Sequence, residues 1–161
     1  DVCDACADDP FNDIDSDGRC GDADNCPDDF NPSQRDDDSD GVGDECDCLP
    51  EDPAVWATPP EVPDLRLEKT AFTQLSWTAP DGVSAYDVAG GALADLAVAG
   101  GVDGAACLMD DTGAALWQDT RADPASGEGY YYLVRGENAC GAGTYGFSGS
   151  GEERVPPTAC P

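Results

Sequence analysis

The chain has 161 residues, 35 acidic against seven basic side chains, a formal charge of −28, nine cysteines and no histidine. Such a surface repels nucleic acid phosphates and anionic lipid, so neither is an expected partner, and its natural counterparts are cations. Without histidine the commonest general base and all imidazole metal sites are excluded, and no apolar stretch of 18 residues predicts membrane insertion.

The charge is uneven. Residues 1–53 carry 20 acidic side chains against Arg19 and Arg35. A segment so polar cannot fold by core burial alone. Nine cysteines in an acidic chain predict an oxidising compartment and a disulfide framework, hence a secreted, extracellular or cell-surface location. The chain begins at Asp1 rather than Met, as expected of a cleaved signal or of a piece of a longer polypeptide.

At the start, Asp1-Val2-Cys3-Asp4 matches Asp44-Glu45-Cys46-Asp47, and Asp9-Pro10 matches Asp52-Pro53, an internal repeat of 43 residues. Asp1 and Asp4 read as the tail of an acidic loop whose head is absent. Either the repeat is degenerate there, or upstream residues or a neighbouring molecule complete it.

Next, Asp13, Asp15 and Asp17 alternate ahead of Gly18 and Arg19, and Asp24 falls at the twelfth position of the loop they open. Hard Ca²⁺ takes six to eight oxygens from such a loop, with carboxylates at positions 1, 3, 5 and 12, glycine at 6 and a backbone carbonyl at 7. Arg19 supplies that carbonyl, while Asp22 stands at position 10 instead of 9, so a bridging water or a shifted ligand is expected. Residues 36–47 repeat the pattern in stricter register. Asp36, Asp38, Asp40, Asp44 and Asp47 occupy positions 1, 3, 5, 9 and 12, with Gly41 at 6 and Val42 at 7. Aspartate at position 12 reaches less far than glutamate. Two Ca²⁺ leave much of the charge uncancelled, so either more ions bind, using Asp8, Asp9, Asp28 and Asp29, or the remainder is solvated. Cys6 and Cys26 are separated by 20 residues, as are Cys26 and Cys46, and only one of these pairs can be a bridge.

The run from 22 to 47, DADNCPDDFNPSQRDDDSDGVGDECD, resembles the thrombospondin type 3 repeat in its DNCP, NPxQ and DxDxDGxGDxCD segments. The resemblance covers residues 1–53. It implies a chain with almost no regular secondary structure, wrapped around a row of calcium ions and stapled by disulfides. It further implies Cys26–Cys46 and Cys6–Cys20 bridges, leaving Cys3 as the odd thiol, and an oxygen ligand from the Asn31 side chain. The CGDAD tail of the first loop and the Cys46-Asp47-Cys48 spacing depart from the family pattern.

Three prolines within residues 57–63 predict a stiff connector. Beyond it the pattern becomes period two. Strands are expected at 62–67, 72–78, 85–88 and 130–135. Residues 93–99 and 114–118 are ambiguous between strand and helical turn, and Gly90-Gly91 and Gly100-Gly101 read as turns. Leu75-Ser76-Trp77 and the run from Tyr132 to Asn138 (YLVRGEN) resemble a fibronectin type III-like sandwich, which implies that Trp77 and Tyr132 are core residues. Cys140 and Cys160 are expected to staple the tail, with Cys107 lacking an obvious partner unless Cys48 reaches it.

The expected fold is therefore mostly β. Residues 1–56 form an irregular, calcium-wrapped, disulfide-stapled repeat region, 57–63 a linker, and 64–161 an antiparallel β-sandwich. No nucleophile elbow, phosphate loop or free carboxylate pair is present, so no enzymatic activity is expected. The expected function is an extracellular calcium-binding structural or adhesion protein, able to self-associate as a fibre subunit or to meet a cell-surface protein or glycan. The alternative is a non-catalytic accessory or carbohydrate-binding module of a larger secreted enzyme, stacking sugar on Trp77, Trp117 or Tyr130.

Overall fold

A computed structural model describes Cys6, residues 13–99, 101–158, 160 and 161, with backbone alone for 97–99. The chain divides into two compact units, Asp1–Ala57 and Thr58–Pro161. Among the described residues of the first unit there is neither helix nor strand, only turns and bends. Among its described residues the buried side chains are Cys6, Cys26, Asn31 and Asp47. Two disulfide-bonded cysteines and two polar groups stand where a hydrophobic core would be.

The second unit is mostly β, with two antiparallel sheets. One holds β1 (Arg66–Lys69), β2 (Thr73–Ser76) and β5 (Leu116–Asp119) in the order β1-β2-β5. The other holds β3 (Ala85–Ala92), β4 (Ala106–Thr112), β6 (Tyr130–Asn138) and β7 (Gly141–Ala142) in the order β4-β3-β6-β7. Alternation sends Leu75 and Trp77 from one sheet, and Tyr86, Val88 and Val134 from the other, into one core. Trp77 meets Tyr86 edge to face at 5.2 Å, the geometry aromatic quadrupoles favour. Trp77 is buried, so it cannot stack a sugar. Trp117 and Tyr132 pack against the same core.

The structure corrects the expected elements in several places. The first strand begins at Arg66, not residue 62, because Asp64 takes a left-handed backbone (φ 57°) that breaks the extended run. Gly90 and Gly91 are not a turn but lie inside β3. A Cβ on Gly91 would meet the Gly104 carbonyl at 2.7 Å and the Tyr131 hydroxyl at 2.8 Å. Residues Leu93–Ala99 form the helix α1, and β4 had no clear period-two signal. Cys160 pairs with Cys107, not Cys140. Cys48 and Cys140 are disulfide-bonded as well.

The corrections within the four-stranded sheet share a cause: that sheet is covered on both faces. Opposite the sandwich core, Tyr131 packs with Val102, Ala105, Leu96 and Leu133. Asp87 on the same face is fully buried and receives the Arg135 guanidinium at 2.7 Å, which also reaches Glu137 at 2.9 Å and the Cys160 carbonyl at 2.8 Å. The tail is fixed further by Cys107 N–H donating to Thr158 O at 3.0 Å.

Candidate metal centre

Both acidic loops fold by the same local rule. In the first, Asp13 Oδ1 accepts the Asp17 N–H at 3.0 Å and Oδ2 accepts the Gly18 N–H at 3.1 Å. In the second, Asp36 Oδ1 accepts Ser39 N–H at 2.7 Å and Oδ2 accepts Gly41 N–H at 3.1 Å. Asp15 and Asp38 each accept the N–H two residues on, as do Asp17 and Asp40, the turn aspartate side chains favour. Gly18 and Gly41 take φ of 95° and 99°, a conformation glycine adopts without a Cβ penalty. Ser16 and Ser39 are left-handed too, at 66° and 65°.

This winding turns alternate carboxylates inward. Asp13, Asp15 and Asp17 bring ligand oxygens within 4.8 Å of one another, and so do Asp36, Asp38 and Asp40. That spacing suits one ion bonded to all three at about 2.3–2.6 Å. Asp15 Oδ2, Asp38 Oδ2, Asp40 Oδ2 and Asp47 Oδ2 are buried without a hydrogen-bond partner. An unpartnered buried carboxylate oxygen is costly unless a cation meets it. Desolvation, and then the surrounding carboxylates, hold Asp15 and Asp38 above the ordinary carboxylate range. The donor set is all oxygen, so these residues fit a hard cation, and the two clusters could hold a metal ion.

The other predicted ligands fall around these triads. Asp47 is buried, with Oδ1 accepting the Leu49 N–H at 2.7 Å and Oδ2 left over. Asp44 accepts the Asp37 N–H at 2.9 Å and faces Arg35 at 3.1 Å. Asp24 is engaged through Oδ1, by Cys26 N–H at 2.9 Å and Gln34 Nε2 at 2.8 Å. Asp22 and Arg19 are exposed, and Val42 is half-buried. The Asn31 amide is committed within the chain: its Oδ1 accepts from Gln34 at 2.8 Å and its Nδ2 donates to Asn25 at 2.8 Å. Asp28 and Asp29 are exposed. Asp1, Asp4, Asp8, Asp9 and Cys3 lie outside the described residues.

Cys26–Cys46 and Cys6–Cys20 both form. Residues to which sequence reasoning gave no role, Asn25 and Gln34 of the DNCP and NPxQ segments among them, hold the loops in place. Gln34 and Asn25 bridge the two loops, and Arg35 anchors Asp37 and Asp44. Gly43 leaves no room for a Cβ, which would meet Asn25 Oδ1 at 2.6 Å and Asn31 Nδ2 at 2.7 Å. The second glycine of the DGVG segment was the available signal for that crowding.

Asp87, Asp111 and Glu137 form a third acidic group, but two of its three carboxylates, Asp87 and Glu137, are already ion-paired with Arg135. Among the described residues no helix is long and apolar enough to cross a membrane. Comparison with known proteins finds no family whose sequence model matches the chain and no curated protein that matches it.

Proposed function

We propose that the chain is an extracellular calcium-binding structural protein, in which Ca²⁺ rigidifies the Asp-rich first unit as a spacer carrying a fibronectin type III-like sandwich. The observation that carries this reading is the set of four buried carboxylate oxygens without hydrogen-bond partners, all inside the two loops. The thrombospondin type 3-like motifs support calcium as the ion. So does the absence of a hydrophobic cluster among the described residues of that unit, since binding free energy then has to supply folding free energy. Extracellular calcium is millimolar, so sites with a Kd of about 10⁻⁴–10⁻³ M suffice to take it up. The disulfides fit an oxidising, extracellular setting. The three-stranded sheet packed on a four-stranded one supports the fibronectin type III-like reading.

A sharper form of the proposal makes the chain a subunit of a calcium-dependent fibre. The test is a calcium titration followed by size-exclusion chromatography with light scattering, before and after chelation. Expansion of a monomer on chelation supports the spacer. Dissolution of a polymer supports the fibre. No change in either would overturn the calcium reading and leave the disulfides as the sole staples.

A further inference from the structure

We propose that the open edge of β6 at Tyr132 and Val134 takes up an extended, basic and aliphatic peptide segment as an added strand. β6 spans nine residues, yet β7 spans two and pairs only with Glu137 and Asn138. Gly143 N–H donates to Gly136 O at 2.9 Å, on the side of β6 away from β3. Backbone groups alternate along a strand, so the N–H and C=O of Val134 and Tyr132 face the same way. Among the described residues neither of these two pairs has a hydrogen-bond partner on that side. The chain does not continue beside them because Gly143 is wedged against Pro59, whose carbonyl a Cβ would meet at 2.3 Å.

Two donors and two acceptors, about 6.8 Å apart at the ~3.4 Å rise of a strand, are complemented by another strand's backbone. A hollow of about 360 Å³ lies along this edge, walled by Val62 and Leu65 on one side and Leu96 and Val102 on the other. It is of the size of a ligand pocket and suits an aliphatic side chain. Its rim is acidic. Glu61 borders the hollow, and Asp103, Glu152 and Glu153 line the adjoining depression, with Arg154 the one base among the residues lining the two. The occupant is therefore cationic, whereas a second copy of this chain would bring −28 against it.

The test uses the full chain in calcium and a labelled octapeptide of alternating lysine and valine. Its partner is the same peptide N-methylated at alternate residues, which keeps the charge and loses backbone donors. Amide exchange by NMR is expected to slow at least tenfold at Tyr132 and Val134 with the first peptide and not with the second. Leu96→Trp, which fills the hollow, is expected to weaken binding at least tenfold. Equal binding of both peptides would reduce the effect to charge alone and overturn the proposal, as would unchanged exchange at the two amides. Protection that appears without peptide and grows with protein concentration would assign the edge to a second copy and also overturn it.

Discussion

Gln34 Nε2 donates to Asp24 Oδ1 at 2.8 Å, so the last carboxylate of the first acidic loop is held by a side chain from the segment that leads into the second. The same nitrogen lies 2.8 Å from Asn31 Oδ1, and Asn31 in turn donates to Asn25, whose carbonyl accepts the Gly43 N–H at 2.9 Å. Hydrogen bonds therefore run from one loop to the other without a break. Partners that orient a ligand typically change metal affinity 10–100-fold when removed. Gln34→Ala is expected to weaken the first-loop site about tenfold in a calorimetric calcium titration. It should leave the strict second loop within about threefold. Unchanged isotherms would mean that Gln34 is scaffold and nothing more.

Asp38 separates the cost of the loop from its use. Its Oδ2 is buried without a partner, and Asp36, Asp40 and Asp47 stand around it. Asp38→Asn removes one negative charge from that cluster while keeping its shape. In chelator the variant is expected to resist proteolysis of the first unit at least as well as the parent. In millimolar calcium the order should reverse, with affinity at the second loop down about tenfold or more. A variant less resistant than its parent in both conditions would make Asp38 a structural hydrogen-bond acceptor instead.

Much of this first unit was legible because its structure is local. An aspartate bonding to N–H groups two to five residues on, and a glycine at the left-handed position, are set by spacing that a reader can count. The Cys26–Cys46 bridge followed from the resemblance of the flanking motifs. In the second unit β2 was legible by its alternation, β6 by its aromatic and aliphatic run, and β3 only over 85–88; β3 is buried on both faces and reads AYDVAGGA, so its glycine half showed no strand pattern. Its glycines serve long-range packing, the approach of Gly104 and Tyr131, which no local pattern encodes. Asp87 likewise sits at 0 % exposure only because Arg135, 48 residues on, reaches it.

That packing argument is testable at Gly91. A Cβ there meets the Gly104 carbonyl and the Tyr131 ring at under 3 Å, and backbone cannot yield cheaply. Gly91→Ala is expected to destabilise the sandwich by about 1–3 kcal/mol in urea melts followed by tryptophan fluorescence. At Gly149, where a Cβ meets nothing within 4 Å, alanine should be neutral to within about 0.5 kcal/mol. Equal, small effects would restore the reading of Gly90-Gly91 as a mere turn.

Two carboxyls set the acid stability of the sandwich in opposite directions. Burial would raise Asp119, but hydrogen bonds from Arg121 and the Tyr132 hydroxyl outweigh it and bring it from 3.8 down to about 2. A depressed carboxyl stabilises the fold above its unfolded pKa, and that contribution is lost as pH falls from about 4 through 2. Glu137 is the reverse case. Burial first, then the hydrogen bond and charge of Asp87, raise it from 4.5 to about 7. Its protonated form is the favoured one, so its contribution is complete below pH 4.5 and lost as pH rises through 7. Stability of the second unit should therefore peak between about pH 4 and 5, and fall on either side by an amount on the order of 1–2 kcal/mol. Glu137→Gln is expected to abolish the decline towards neutral pH, and Asp119→Asn the decline towards strong acid. Urea melts from pH 2 to 8, read by tryptophan fluorescence, separate the two limbs. A Glu137→Gln profile that still declines from pH 5 to 7 would take the upper limb away from Glu137.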